Sequence, residues 1–300
     1  MRRFPTLLIA GSALLTLAAC GSGSTTTPAP GERPTVVAST DVYGSIAAAV
    51  GGNLVDVKSI IDSPSADPHE YETTPADAAT VAKAAIVVEN GGGYDDFADR
   101  LVRSAGGAPT VVNAVALSGK DTGQGELNEH VWYDLGTVRK VADAIAADLG
   151  RKDAANAATY TANAQAFEKE LDGLQQKIDT LRAAQSGRRI AVTEPVPLYL
   201  TEAAGLENVM PEAFSAAVEE GDDPAAAVLA EALRVVPSVK AVVANSQTES
   251  PSTQQVEAAA AAANVPVVKV TETLPDGVDS YVAWQSAQLD ALAGAVNRAA

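Results

Sequence analysis

A chain of 300 residues, 47% of them hydrophobic, is long enough for two ordinary domains with buried cores and is not a disordered chain. Its formal net charge of −17 argues against nucleic acid, whose phosphates need a basic patch, and suits a soluble protein that draws cations toward itself. The single cysteine, Cys20, excludes a disulfide within the chain and a thiolate zinc site.

At the N-terminus Arg2 and Arg3 precede a short apolar run, residues 7–17, which leads into Leu17-Ala18-Ala19-Cys20. Such a run is too short to span a bilayer comfortably and reads as a secretory signal over residues 1–19. Leu-Ala-Ala-Cys resembles the lipobox of bacterial lipoproteins, which implies cleavage before Cys20 and lipidation of that residue. The chain is then expected on the extracytoplasmic face of the bacterial cytoplasmic membrane, lipid-anchored. Residues 20–34, rich in Ser, Thr, Pro and Gly, read as the lipidated cysteine and a flexible tether.

From residue 35 onward, short β-branched runs alternate with Ala-rich helical ones, the pattern of βα units and a mainly parallel sheet. Strands are expected at 36–40, 55–61, 86–88 and 110–113, with helices at 42–50, 75–84 and 94–104. The turn Glu89-Asn90-Gly91-Gly92-Gly93 lacks a G-x-G-x-x-G or Gly-Lys-Ser/Thr continuation, so it reads as a tight turn and not a phosphate loop. After a polar run at 119–128 comes the second histidine, His130, and then a helix at 135–149. Residues 153–185 keep helical spacing through Tyr160, Phe167, Leu171, Leu174, Ile178 and Leu181. A helix of that length spans a small domain; a coiled-coil dimerisation arm is the structural alternative. A second βα series has strands at 189–193, 239–244 and 265–271 and helices at 198–204, 224–235, 252–263 and from about 280, with Asp222 and Asp223 as caps for the helix after Pro224. The expected fold is therefore α/β: two βα lobes with mainly parallel sheets, 35–150 and 187–300, joined by one long backbone helix, 151–186.

One stretch, Asp67-Pro68-His69-Glu70-Tyr71-Glu72, holds one of only two histidines and is punctuated by Pro68 and Pro75. Imidazole is the commonest transition-metal donor, and Pro68 keeps Asp67 extended, so His69 reads as a metal ligand on an ordered loop after a strand. Glu194 and Glu272 also fall just after strands, where ligands of open α/β sheets sit. Alone, either carboxylate reads as a surface group or a helix cap.

Together, Asp67-Pro68-His69-Glu70-Tyr71-Glu72 with Thr74-Pro75, Asn128-Glu129-His130-Val131-Trp132, Thr193-Glu194-Pro195 before Tyr199, and Val270-Thr271-Glu272-Thr273 carry a resemblance. They resemble the four ligand segments of the cluster A-I solute-binding lipoproteins, the manganese, zinc and iron receptors of bacterial ABC importers, over essentially the whole mature chain. The resemblance implies a metal cleft between the lobes, with His69 and His130 as ligands from the first and Glu194 and Glu272 from the second. Glu194 falls where members carry Glu or His. Glu272 falls where most carry Asp, and its extra methylene changes the bidentate geometry or leaves room for a water. Trp132 and Tyr199 read as packing around the site. The implied cargo is one divalent transition metal, Mn2+ or Zn2+, with Fe2+ also compatible. Two imidazoles and two carboxylates make a donor set of intermediate hardness, and Zn2+ would bind it more tightly than Mn2+ whichever is physiological. Glu at the third position and the lack of histidine between residues 119 and 129 both lean toward manganese. The implied partners are an ABC permease and, through the lipid, the membrane; no nucleic acid is expected, and the chain is expected to be a monomer. No enzyme is expected: H-E-x-x-H is absent, and four protein ligands would close the shell that a metallohydrolase keeps open. A metal-dependent surface adhesin is the other alternative, although the sequence has no adhesive repeat.

Overall fold

A computed structural model of the chain describes residues 33–64, 66–123 and 127–298. The expected signal, Cys20 and most of the tether lie outside them. The first half comprises β1 (Thr35–Thr40), α1 (Asp41–Gly51), β2 (Asp56–Ile61), α2 (Pro75–Val81), β3 (Ile86–Glu89), α3 (Asp96–Ser104), β4 (Thr110–Asn113), α4 (Ala114–Ser118) and α5 (Leu135–Lys152). The long α6 (Ala157–Gln185) follows. The second half comprises β5 (Arg189–Val192), α7 (Leu198–Ala203), β6 (Glu207–Asn208), α8 (Glu212–Glu219), α9 (Ala226–Val235), β7 (Val242–Asn245), α10 (Pro251–Ala262), β8 (Val267–Val270) and α11 (Tyr281–Val296).

Each half builds one four-stranded sheet, in the orders β2-β1-β3-β4 and β6-β5-β7-β8, and every pairing is parallel. The two orders are the same order repeated. In each, successive strands are added to opposite sides of the first, so a crevice opens beyond the carboxyl ends between β1 and β3 and again between β5 and β7. Short β-branched strands such as Val36-Val37 and Val87-Val88 are buried on both faces, as parallel strands flanked by helices require.

The long helix begins after a 3-10 turn (Ala154–Asn156), later than its periodicity suggests. Asp153 stops the preceding helix and accepts hydrogen bonds from Asn156 Nδ2 (2.7 Å) and the Tyr160 hydroxyl (2.9 Å). At about 1.5 Å per residue α6 is roughly 43 Å long. Its stripe of Tyr160, Ala164, Phe167, Leu171, Leu174, Ile178 and Leu181 recurs at alternating steps of four and three and is buried throughout. That face packs on α1 and α5 from the first half and on α7 and α11 from the second, so it is used inside the chain and not on a coiled-coil partner. One apolar core consequently runs through both halves.

Hydrogen bonds stitch the halves together below the cleft. Asp41 Oδ1 accepts from the Leu274 amide (3.1 Å), Ser45 Oγ donates to the Asp279 carbonyl (3.0 Å) and accepts from the Tyr281 amide (2.9 Å), and the Tyr281 hydroxyl donates to the Trp132 carbonyl (2.6 Å). Among the described residues no helix is long and apolar enough to cross a membrane.

Two expectations about loops meet different outcomes. The triple-glycine segment is a tight turn, with Gly91, Gly92 and Gly93 at φ of 77°, 72° and 101°. Its inward amides, Asn90 and Gly91, donate to the carboxylate of Asp95 (2.6 and 2.7 Å), so the loop's own acid fills the place an anion would take. Asp222 and Asp223, by contrast, do not cap the following helix. α9 starts at Ala226 with Ala225 in the cap position and no side-chain capping bond, because Ala225 after Pro224 is extended (ψ 142°) and leaves both carboxylates short of the free amides. Helices α4 and α8 and the two-residue β6 had no anticipated counterpart.

Leu171 lies at the middle of the α6 stripe and is fully buried. Leu171→Ala is expected to cost about 2–5 kcal/mol of unfolding free energy through the cavity it leaves, measured by denaturant titration.

Candidate metal centre

His69 sits on the loop between β2 and α2. Its backbone amide donates to Asp67 Oδ1 (2.9 Å), a local turn that the extended residue before Pro68 makes possible. The loop then ends in a capping box, with Asp77 N donating to Thr74 Oγ1 (3.3 Å), Thr74 N to Asp77 Oδ2 (2.7 Å), and Pro75 in the first turn. The imidazole stands edge-on to the Tyr94 ring (centroids 5.1 Å apart) and keeps about a third of its surface exposed.

His130 approaches from the other side of Tyr94, with centroids 5.9 Å apart, and packs on Trp132 at 5.0 Å. It is completely buried. Its Nδ1 lies 2.8 Å from Asn128 Oδ1, an acceptor, so Nδ1 carries the proton and Nε2 is left as a bare lone pair. Burial and the neighbouring His69 hold the pKa down to about 3, which keeps the ring neutral. Nε2 has no hydrogen-bond partner. Asn128 itself is pinned by the second half: its Nδ2 donates to the Pro195 carbonyl (3.0 Å) and its carbonyl accepts from the Tyr199 hydroxyl (2.7 Å). Trp132 and Tyr199 thus do structural work beside the site.

The second half presents Glu194 two residues past β5 and Glu272 two residues past β8, both buried. Asn245, the last residue of β7, lies between them and donates from one amide nitrogen to Glu194 Oε2 (2.9 Å) and Glu272 Oε1 (2.6 Å). Thr248 also donates to Glu194 Oε2, while Oε1 of Glu194 is buried without a partner. Gln247 positions the Glu272 segment, its Oε1 accepting from the amides of Glu272 (2.5 Å) and Thr273 (3.1 Å), and its Nε2 reaches the Pro64 carbonyl (2.5 Å) on the His69 loop.

Sequence reasoning did not single out Glu219, the last residue of α8. Its Oε1 lies 3.3 Å from His130 Nε2 and 3.8 Å from His69 Nε2, and Glu129 Oε1 lies 3.9 Å from His69 Nε2. His69, Glu129 and Glu219 each offer one donor atom within 4.8 Å of the others. The four expected ligands therefore form two pairs: the imidazoles, which meet over Glu219, and the carboxylates of Glu194 and Glu272, which share Asn245.

The electrostatics join these pairs into one site. Burial, followed by the charges of Glu272, Glu129, Glu194 and Asp67, pushes Glu219 up to about 9. Glu272 rises to about 7 through burial and Glu194, against the opposing bond from Asn245. Burial also raises Glu194, partly offset by its bonds from Thr248 and Asn245, and raises Glu129. Five carboxylates and two imidazoles face one another, an arrangement that a cation relieves and an anion would worsen.

Two parallel α/β halves on a spanning helix, with imidazoles and buried carboxylates converging beyond the strand ends, define a cation-binding receptor of the substrate-binding-protein class. The chain belongs to the ZnuA family, described as zinc-uptake complex component A periplasmic, which it matches over residues 36–295. That family consists of extracytoplasmic substrate-binding proteins of ABC importers, not enzymes. The chain is 30% identical over 202 residues to the manganese-binding lipoprotein MntA of Halalkalibacterium halodurans, covering 65% of this chain and 66% of that one. It is 26% identical over 315 residues to the iron ABC transporter substrate-binding lipoprotein MtsA of Streptococcus pyogenes serotype M1, covering 96% and 97%. The fold is shared with the periplasmic zinc binding protein TroA from Treponema pallidum: TM-score 0.72 at 19% identity, covering 89% of this chain and 100% of that one.

Because Glu272 and Glu219 hold protons up to about 7 and 9 in the folded chain, against about 4.3 when unfolded, the folded state binds more protons between those values and loses stability as pH rises. His130, lowered to about 3, acts in the opposite sense, but only below about 6.5. Metal-stripped protein is therefore expected to melt at progressively lower temperature from pH 7 to pH 9, and saturating divalent metal to flatten the trend. Melting curves that coincide over that range without metal would contradict the buried-carboxylate site.

Proposed function

We propose that this chain is the lipid-anchored, extracytoplasmic receptor that captures a divalent transition metal between its halves and delivers it to an ABC permease, and that the metal is manganese. The ligand set proposed is His69, His130, Glu194 and Glu272. The observation that carries the reading is His130: a buried neutral imidazole whose tautomer is fixed by Asn128, so that an unshared Nε2 lone pair points at a group of carboxylates. A histidine held this way is prepared to donate to a metal and to little else.

Capture follows from the charges. The acidic chain attracts cations, and the buried carboxylates lose mutual repulsion when a dication enters. Glu194 and Glu272 arrive already oriented by Asn245, so little side-chain freedom is lost on binding. Aromatic walls at Tyr94 and Trp132 keep the histidine side dry, which strengthens each metal–ligand interaction. Manganese is supported by an oxygen-rich donor set, by Glu in place of a third histidine, and by the name of the MntA relative. Zinc is expected to bind tightly in the test tube on the Irving–Williams order, so affinity alone does not identify the cargo. Cys20 is proposed as the lipidated residue, and the receptor is proposed to act as a monomer.

Protein beginning after Cys20, purified without chelator from cells supplied with balanced manganese, zinc and iron, is expected to carry about one equivalent of manganese by mass spectrometry. His69→Ala should lose it. Equal metal in the variant, or none in either protein, overturns the site. Asn128→Ala, which removes the acceptor that fixes His130, is expected to weaken metal binding by roughly 10- to 100-fold in a chelator competition titration.

A further inference from the structure

We propose that Glu219, at the C-terminal end of α8, is an additional ligand of the metal, so that the second half reaches the imidazole pair directly through a helix as well as through its strand-end carboxylates. The inference rests on the receptor reading above and concerns the composition of the same site.

The geometry is that of donors around an ion. Glu219 Oε1 lies 3.3 Å from His130 Nε2 and 3.8 Å from His69 Nε2. Two donors each about 2.1 Å from a tetrahedral ion sit about 3.4 Å apart, so these separations suit groups sharing one metal. Nothing else explains the approach. His130 has placed its ring proton on the Asn128 side, so Nε2 has no hydrogen to give, and it is buried with no hydrogen-bond partner. A carboxylate oxygen facing that lone pair sets acceptor against acceptor, which a cation between them turns into two bonds.

The position of Glu219 in the fold is also unfavourable for a merely structural acid. It occupies the last turn of α8, where the helix dipole presents its negative end. It has carboxylates for neighbours, with Glu272, Glu129, Glu194 and Asp67 all acting on it, and its second oxygen, Oε2, is buried without a partner. The adjacent Glu220 is exposed on the outside of the helix end and carries the same charge. A third carboxylate at the imidazole pair makes the site richer in oxygen, the donor that manganese accepts more readily than zinc does at equal geometry.

The test is a chelator competition titration of the soluble chain with Mn2+ and with Zn2+, using Glu219→Gln and Glu219→Ala beside Glu220→Gln as a charge-matched control, together with a crystal structure of the Mn2+-loaded protein. Circular dichroism establishes that the variants fold. The expected result is loss of Mn2+ affinity on the order of 100-fold in both Glu219 variants, a smaller loss for Zn2+, an unaltered Glu220→Gln, and a Glu219 oxygen in direct contact with the ion. Unchanged or tighter Mn2+ binding in the Glu219 variants, or a Glu219 carboxylate turned away from the ion, overturns the proposal. If His69→Ala still abolishes binding in that event, the receptor reading stands and Glu219 alone is removed from it. If His69→Ala also binds normally, both fail. Should a Glu219 variant not fold, the crystal structure decides by itself.

Discussion

The burial of like charge governs this molecule. Asp67, Glu129, Glu194, Glu219 and Glu272 all act on one another within a single cleft, and the groups that shift Glu219 are carboxylates without exception. Two unit charges about 4 Å apart repel by about 4 kcal/mol at an effective dielectric near 20. A chain keeps such a cluster only if something of opposite charge uses it. The surrounding structure holds the donors in place against that repulsion: Asn245 clamps two carboxylates with one amide, Gln247 holds the backbone of Glu272, and Asn128 fixes the ring of His130.

The donors come from places that one topological rule makes equivalent. Both sheets have the same strand order, and in both the chain leaves the carboxyl ends toward the same cleft. His69 follows β2, His130 precedes α5, Glu194 follows β5 and Glu272 follows β8. Since α6 packs on helices of both halves through one continuous stripe, the two sets of strand ends face each other across a fixed frame. Movement at the cleft is then confined to small adjustments.

Much of this was legible in the sequence, and the exceptions have physical causes. The β-branched runs located seven of the eight strands, and the spacing of Tyr160 to Leu181 located the long helix. β6 was missed because two residues, Glu207 and Asn208, carry no periodicity. β7 starts at Val242 and not at 239, because the Val236–Ser238 segment around Pro237 forms a 3-10 turn first. His69 stood out because histidine is scarce here and its loop is framed by prolines. Glu219 did not, since Glu219-Glu220 followed by Asp222-Asp223 reads as an acidic surface run. Only the fold of α8 shows that neighbouring glutamates point to opposite surroundings, one into the cleft and one into solvent. Asn245 had a faint signal, a polar residue ending an otherwise apolar strand at a switch point.

Asn128 has a consequence for letting go. The residue that dictates which nitrogen of His130 is free is itself tied to the second half through Pro195 and Tyr199. Any force that draws the halves apart therefore pulls first on the group that orients the imidazole. Separation would disturb the donor's alignment at the moment the exit widens, so grip and gate are one mechanical part. A transporter seizing the two halves needs no separate trigger to empty them.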